Sequence, residues 1–124
     1  MLHKVSAAIT TDSGGNATVY LGSKIRGYLV SLFYRPGTIV TGADLTVTAE
    51  TSGAPILTKV NLGTANSYLY PRALPTNANS LTGPLGTVPS ERIPLMNERI
   101  KVVVAAGGDT LTGSIEAVYE TVED

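Results

Sequence analysis

The C-terminal segment from Glu98 to Glu120 constrains the fold more than any other part of the sequence. Two runs that favour β-structure, Arg99 to Ala105 and Thr110 to Tyr119, flank Ala106-Gly107-Gly108-Asp109. The second run alternates apolar residues with Thr, Ser and Glu, as a strand with one buried face does. Because glycine takes the positive φ that tight turns require, we predict that the two runs form one long antiparallel hairpin. Three consecutive valines at 102 to 104 predict that the first strand is covered on both faces near the turn.

Strand-and-turn patterns continue through most of the chain. Lys4 to Thr11 and Ala17 to Leu21 flank another Gly-Gly loop and predict a second hairpin, and Asp44 to Glu50 with Ile56 to Leu62 predict a third. Gly27 to Tyr34 is apolar on both alternating faces, which is typical of a central strand buried on both sides or of a strand with one aromatic-rich face at an interface. About eight short strands at this spacing predict an all-β fold, either an antiparallel, jelly-roll-like β-sandwich or a flattened barrel.

A long irregular loop is predicted from Gly63 to Pro94, within a single domain that spans residues 1–124. Five of the seven prolines fall in this stretch, and proline removes the backbone donor that a central strand needs. The stretch is too apolar for a plain linker, so we expect it to pack on a partner. Its candidate protein–protein contacts are Tyr68, Tyr70, Arg72, Leu74, Leu81 and Leu85.

Composition narrows the classes of partner. The chain has 9 basic and 10 acidic residues and no basic run, so a nucleic-acid partner is not expected. No apolar stretch approaches the ~18 residues of a membrane helix, so we expect a soluble protein without a membrane partner. Only 15% of the residues are charged, below the roughly 25% of typical domains. A weakly charged surface favours association with other proteins.

The residue types that catalysis requires are scarce. The chain has no cysteine, and His3 is its single histidine, which excludes a catalytic triad with a histidine base and a site with several histidine ligands. Glu116 and Glu120 lie about 13 Å apart on one strand, too far for a retaining glycosidase pair. Turn chemistry accounts for the aspartates that are adjacent to glycines or lie in turns, Asp12, Asp44 and Asp109. We therefore expect no enzymatic activity, no cofactor and no metal, whereas a sugar-stacking role for Tyr68 and Tyr70 stays open.

The C-terminal run resembles a signature of small structural proteins from tailed bacteriophages and prophages. Residues 97–104 match an N-E/D-R-[IVL]-K-[IV]-V-[IV] strand, and residues 107–113 match its G-G-x-T-x-T-G turn. Further segments that fit are 16–20, 25–27, 44–50 and 70–72, so the resemblance extends over most of the chain. It implies a structural component of the virion, and more narrowly an accessory protein that decorates the capsid.

This resemblance also implies partners and a location. A decoration protein would bind the major capsid protein and itself, as a homotrimer, on the capsid surface after synthesis in the bacterial cytoplasm. We expect the loop from Gly63 to Pro94 and the N-terminal strand to provide these contacts. The alternatives are a head-to-tail connector, a tail or fibre component, and a carbohydrate-binding β-sandwich module.

Overall fold

The computed structural model describes residues 2–40, 42–63, 65–72 and 92–121, and these residues form a single antiparallel β-sheet without a helix. Its seven strands are β1 (Leu2–Thr10), β2 (Ala17–Arg35), β3 (Ala43–Ala49), β4 (Pro55–Leu62), β5 (Ser67–Leu69), β6 (Ile93–Ala105) and β7 (Thr112–Thr121). The strand order is β1-β7-β2-β6-β3-β4, and β5 pairs with β2. The all-β prediction is confirmed, but the sheet is not closed into a barrel.

The central element of the sheet is β2. Its first half pairs with β6 and its second half pairs with β7 and β5, which confirms the prediction of a central strand at Gly27 to Tyr34. The two halves meet at Gly27, which lies opposite both Leu95 of β6 and Thr121 of β7. A Cβ atom at Gly27 would lie 1.9 Å from the carbonyl oxygen of Glu120, so no larger residue fits without moving backbone. Because β2 has 19 residues, two of the predicted short strands are one continuous strand.

Two of the three predicted hairpins are wrong. The strands of the C-terminal hairpin exist, but β2 lies between β6 and β7 in the sheet. Similarly, β7 lies between β1 and β2. The third hairpin is confirmed, since β3 pairs directly with β4. Among the described strand pairs, only β3 and β4 are consecutive in the chain.

The two Gly-Gly loops dock onto each other instead of closing hairpins. In the loop after β6, the Gly107 amide donates a hydrogen bond of 2.8 Å to the Gly15 carbonyl in the loop after β1. The buried Thr11 hydroxyl donates to the Gly108 carbonyl at 2.6 Å and accepts from the Leu111 amide at 2.8 Å. Gly108 has a φ of 94°, which favours glycine. The glycines therefore allow two loops that are distant in sequence to contact each other closely.

One apolar core occupies the inner face of the sheet. Val5 of β1 packs over Gly22 of β2, which places the β1 end of the sheet against the first half of β2.

On β6, Val102 and Val104 are buried whereas Val103 is half-buried, so one face of the strand is covered completely and the other face in part. The largest fully buried side chains are Tyr34, Ile9, Leu21, Leu29, Leu32, Leu45, Leu62, Leu95, Ile100, Ile115, Val47 and Val102.

A buried carboxylate holds the turn between β3 and β4. Glu98 is 8% exposed and accepts hydrogen bonds from the Thr51 amide at 2.9 Å and from the Ser52 amide and hydroxyl. These donors replace the water that the carboxylate loses on burial. Glu98 thus connects β6 to the turn of the neighbouring hairpin.

The predicted loop from Gly63 to Pro94 is shorter at both ends than expected. Ser67 to Leu69 form β5, and β6 already begins at Ile93. Pro94 lies opposite Tyr28 and is tolerated because no described residue pairs with the other edge of β6 there. Residues 73–91 lie outside the described part of the chain.

Candidate functional site

Three aromatic rings on the outer face of β2 are each covered by an arginine that is paired with a glutamate. This repeated arrangement places a cation over a ring face and satisfies the guanidinium with a carboxylate. The distances from guanidinium to ring centre are 4.2, 5.0 and 4.2 Å. In chain order, the three clusters are Tyr20 with Arg99 and Glu50, Tyr28 with Arg92 and Glu120, and Phe33 with Arg35 and Glu116.

The third cluster extends into an exposed aromatic surface. Tyr68 of β5 lies opposite Phe33 in the sheet, and their rings stack with centres 4.2 Å apart and planes at 11°. Tyr68 nevertheless remains 67% exposed. Arg35 covers the Phe33 ring and forms a 2.9 Å ion pair with Glu116 of β7. We call Phe33, Arg35, Tyr68 and Glu116 the aromatic patch.

A shallow cleft of about 220 Å³ lies beside the aromatic patch. It is smaller than the roughly 300–1,000 Å³ of small-molecule sites. Its size and mixed lining are suited to a protruding side chain of a protein partner, and Tyr and Arg are enriched among residues that dominate binding energy. The cleft is lined by the patch itself and by Lys4, Ser31 and Val118.

Both Glu50 and Glu116 are held in the ionised form. The hydrogen bond from Arg35 lowers the pKa of Glu116 below the usual glutamate value, and the hydrogen bond from Arg99 does the same for Glu50. A carboxylate with a lowered pKa is a poor proton donor at neutral pH. These glutamates therefore position arginines and do not provide the general acid that hydrolysis would need.

The other predicted contact residues are arranged differently. Tyr70 is exposed just after β5, and its role as a contact residue stays a prediction. Arg72 is half-buried and donates hydrogen bonds to the carbonyls of Val30 at 3.0 Å and Pro71 at 2.7 Å, so it anchors the chain to β2. Leu74, Leu81 and Leu85 lie outside the described residues.

Sequence reasoning missed three of the four residues of the patch. Phe33 and Arg35 are two positions apart on one strand, so alternation places them on the same face. The sequence alone could therefore have predicted that these two side chains are neighbours. Glu116 is adjacent only because Phe33 lies opposite it across β2 and β7, and no local pattern predicts this register.

A second cleft, of about 550 Å³, lies where the pairing of β2 and β6 shifts register. Asn97 has a φ of 62° at this irregularity, and the neighbouring Met96 side chain is 75% exposed. The described residues that line the cleft are Arg26, Gly27, Tyr28, Pro94, Leu95, Met96 and Asn97. These seven residues include no acid or imidazole and provide no acid–base pair.

Other chemistry is sparse in the described part of the chain. No group of three or more His, Asp or Glu residues within it is arranged to hold a metal ion. His3 stacks on Tyr119 with ring centres 5.3 Å apart. A search for membrane-spanning helices among the same residues finds no candidate.

Comparisons with known proteins add little to this description. No family model matches the chain, and no curated protein matches it. A solved structure of infectious bursal disease virus, Gt strain, is similar with a TM-score of 0.28 and 16% identity over 98% of this chain. The match covers 36% of that protein, so the chain spans about a third of its length. A TM-score this low carries no argument about function.

Proposed function

We propose that the protein is a non-enzymatic structural component of a bacteriophage virion, and that it decorates the capsid by binding the lattice of the major capsid protein. The observation that carries the proposal is the aromatic patch, in which Tyr68 is stacked on Phe33 and still largely exposed. The resemblance of residues 97–113 to small phage structural proteins supports the same class.

The patch is organised before any partner binds. Stacking on Phe33 limits the rotation of the Tyr68 ring, and Glu116 together with the Phe33 ring holds the Arg35 guanidinium. Side chains that are already ordered lose less entropy on association. A side chain from the capsid lattice would enter the cleft over Phe33 and Val118, while the rim contacts polar groups.

Quantitative mass spectrometry of purified virions tests the function. A decoration protein is expected at a copy number that scales with that of the major capsid protein. A few copies per particle would instead indicate a connector or tail component and would overturn the decoration role. Absence of the chain from purified particles would overturn the whole proposal.

A surface variant tests whether the aromatic patch is the contact. We expect Tyr68→Ser to reduce occupancy on capsids about tenfold or more, since truncation of such a residue costs more than about 1.4 kcal/mol. Val60→Ser is the matched control, because Val60 is similarly exposed but lies on β4 at the other end of the sheet. Equal occupancy of both variants would exclude the patch as the contact without excluding the virion role. Retention on polysaccharide that Tyr68→Ser abolishes, together with no capsid binding, would favour a carbohydrate-binding module.

A further inference from the structure

The outer edge of β1 is long and regular. β1 pairs with β7 from Leu2 opposite Glu120 to Thr10 opposite Thr112, without a register shift. No described residue pairs with the other edge of β1, which is the end of the sheet. The strand contains neither glycine nor proline. Such an edge presents a row of free backbone donors and acceptors that a further strand can pair with.

The opposite edge of the sheet is protected in ways that β1 is not. β4 begins with Pro55 and contains Asn61 at a φ of 54°. Its pairing with β3 has two register shifts. Proline and irregular backbone both discourage the addition of a strand. The edge of β5 is only three residues long. Among the described edges, β1 alone is both long and regular, and the exposed Lys4 is its single charged side chain.

The apolar core also reaches the β1 edge without being closed there. Ile9 is fully buried at one end of the strand, whereas Val5 and Ala7 on the same face are only half-buried. Both pack against the core cluster. A strand added beside β1 would continue the inner face and cover these two side chains, which favours association.

The sequence of β1 is complementary to itself in the antiparallel direction. If Ser6 lies opposite Ser6 of a second copy, every residue from 2 to 10 has a partner. On the inner face, Val5 then lies opposite Ala7 of the second copy. On the outer face, Lys4 lies opposite Ala8, so the single lysine of the strand does not meet its own copy. A slip by one residue would pair inner with outer side chains, so registers shifted by an odd number of residues are disfavoured.

We propose that two copies of this chain associate through their β1 strands, paired antiparallel about a two-fold axis at Ser6. The two seven-stranded sheets become continuous, and the half-buried side chains of both β1 strands lie in one shared core. Antiparallel pairing of identical strands is self-complementary and closes as a dimer, in place of the trimer expected from the sequence. This inference goes beyond the proposed function and does not depend on it.

The oligomeric state of the purified chain is the first test. Analytical ultracentrifugation over a wide concentration range is expected to show a monomer–dimer equilibrium. A strict monomer or a trimer would overturn the proposal.

Charge substitutions at the two-fold axis test the register. Ser6→Lys and Ser6→Glu each place like charges opposite each other, and we expect each to weaken the dimer about tenfold or more. An equimolar mixture of the two variants is expected to restore dimers, because lysine then lies opposite glutamate. Thr58→Lys is the control, since Thr58 is exposed on β4. The proposal fails if the control dissociates as Ser6→Lys does, or if the mixture stays monomeric.

A cross-link tests the geometry independently of charge. The chain has no cysteine, so Ser6→Cys creates a single thiol. Directly opposed residues in an antiparallel pair have Cα atoms about 4.5–5.5 Å apart, which lies within the range of a disulfide. Mild oxidation is expected to cross-link Ser6→Cys and to leave Thr58→Cys uncross-linked. Circular dichroism of both variants checks that the exposed substitutions leave the fold unchanged. Dimers that do not cross-link at Ser6 would contradict the proposed pairing.

Discussion

The two faces of β2 are organised by different forces. On the inner face, Leu29, Leu32 and Tyr34 are almost completely buried, so burial of apolar area holds them. On the outer face, Tyr28 and Phe33 remain partly exposed and are ordered by arginines that pair with glutamates. The inner face therefore determines whether the chain folds, whereas substitutions on the outer face are expected to cost little stability.

Substitution of Gly27 is expected to have the largest effect, because it disturbs the strand that both faces share. In Gly27→Ala, the new methyl group would lie 1.9 Å from the carbonyl oxygen of Glu120 and force β2 and β7 apart. We expect a loss of about 3 kcal/mol or more in the free energy of unfolding. Urea denaturation followed by circular dichroism measures it. A fully stable Gly27→Ala variant would show that the two strand pairs do not need close approach at this point.

A matched pair of truncations compares the two faces directly. Leu32→Ala leaves a cavity in the core and is expected to cost about 2–5 kcal/mol in the free energy of unfolding. Tyr68→Ala removes an exposed ring that stacks on Phe33 on the outer face and is expected to cost below about 1 kcal/mol. Thermal and urea denaturation of both variants give the two values. Similar losses would contradict the division between an inner face that holds the fold together and an outer face that contributes little to stability.

Tyr34 is the polar exception on the inner face. Its hydroxyl is buried and has no hydrogen-bond partner among the described residues. Tyr34→Phe is therefore expected to leave stability unchanged or to raise it by up to about 1 kcal/mol, because an unsatisfied buried group is removed. Urea denaturation at neutral pH measures this change. A clear destabilisation would reveal a partner for the hydroxyl.

The same variant should change the response to alkaline pH. Burial raises the pKa of Tyr34 in the folded state. The folded state then holds its proton more tightly than the unfolded state. The stability that this group contributes is fully present below the pKa of about 10 that tyrosine has in the unfolded state. It is lost as the pH rises through the higher pKa that Tyr34 has in the folded state. Tyr34→Phe is expected to show a smaller loss of stability above about pH 10, as urea titrations at increasing pH would measure.

The smallest effect is expected from the outer glutamates at low pH. Glu50 and Glu116 have lowered pKa values in the folded state, owing to hydrogen bonds from Arg99 and Arg35. The stability that these two ion pairs contribute is therefore fully present above the pKa that glutamate has in the unfolded state. It is lost as the pH falls through the lower pKa values that the two glutamates have in the folded state. Between about pH 5 and pH 3, the stability of the Glu50→Gln/Glu116→Gln double variant should decrease less than that of the original chain. If both proteins lose the same amount of stability in this range, other carboxylates are responsible for the sensitivity to acid.

The sequence was sufficient to predict the parts of the fold that depend on local side-chain direction. In the run from Asp44 to Glu50, apolar and polar residues alternate, which indicates that Leu45, Val47 and Ala49 face the core, and all three are buried. The sequence also predicted the hairpin of β3 and β4, whose turn contains Ser52 and Gly53. In both cases, the period of two along a strand and a short turn determine the outcome.

The partners of the remaining strands were decided by the tertiary structure. The loop with Gly107 and Gly108 has the composition of a hairpin turn, yet it docks onto Gly15 while β2 separates β6 from β7. Glycine permits a turn but does not select which strand lies alongside, because that choice depends on contacts between distant segments. The same reason applies to the aromatic patch. Sequence composition drew attention to Tyr68, but only the register of β2 with β5 and β7 brings it together with Phe33 and Glu116.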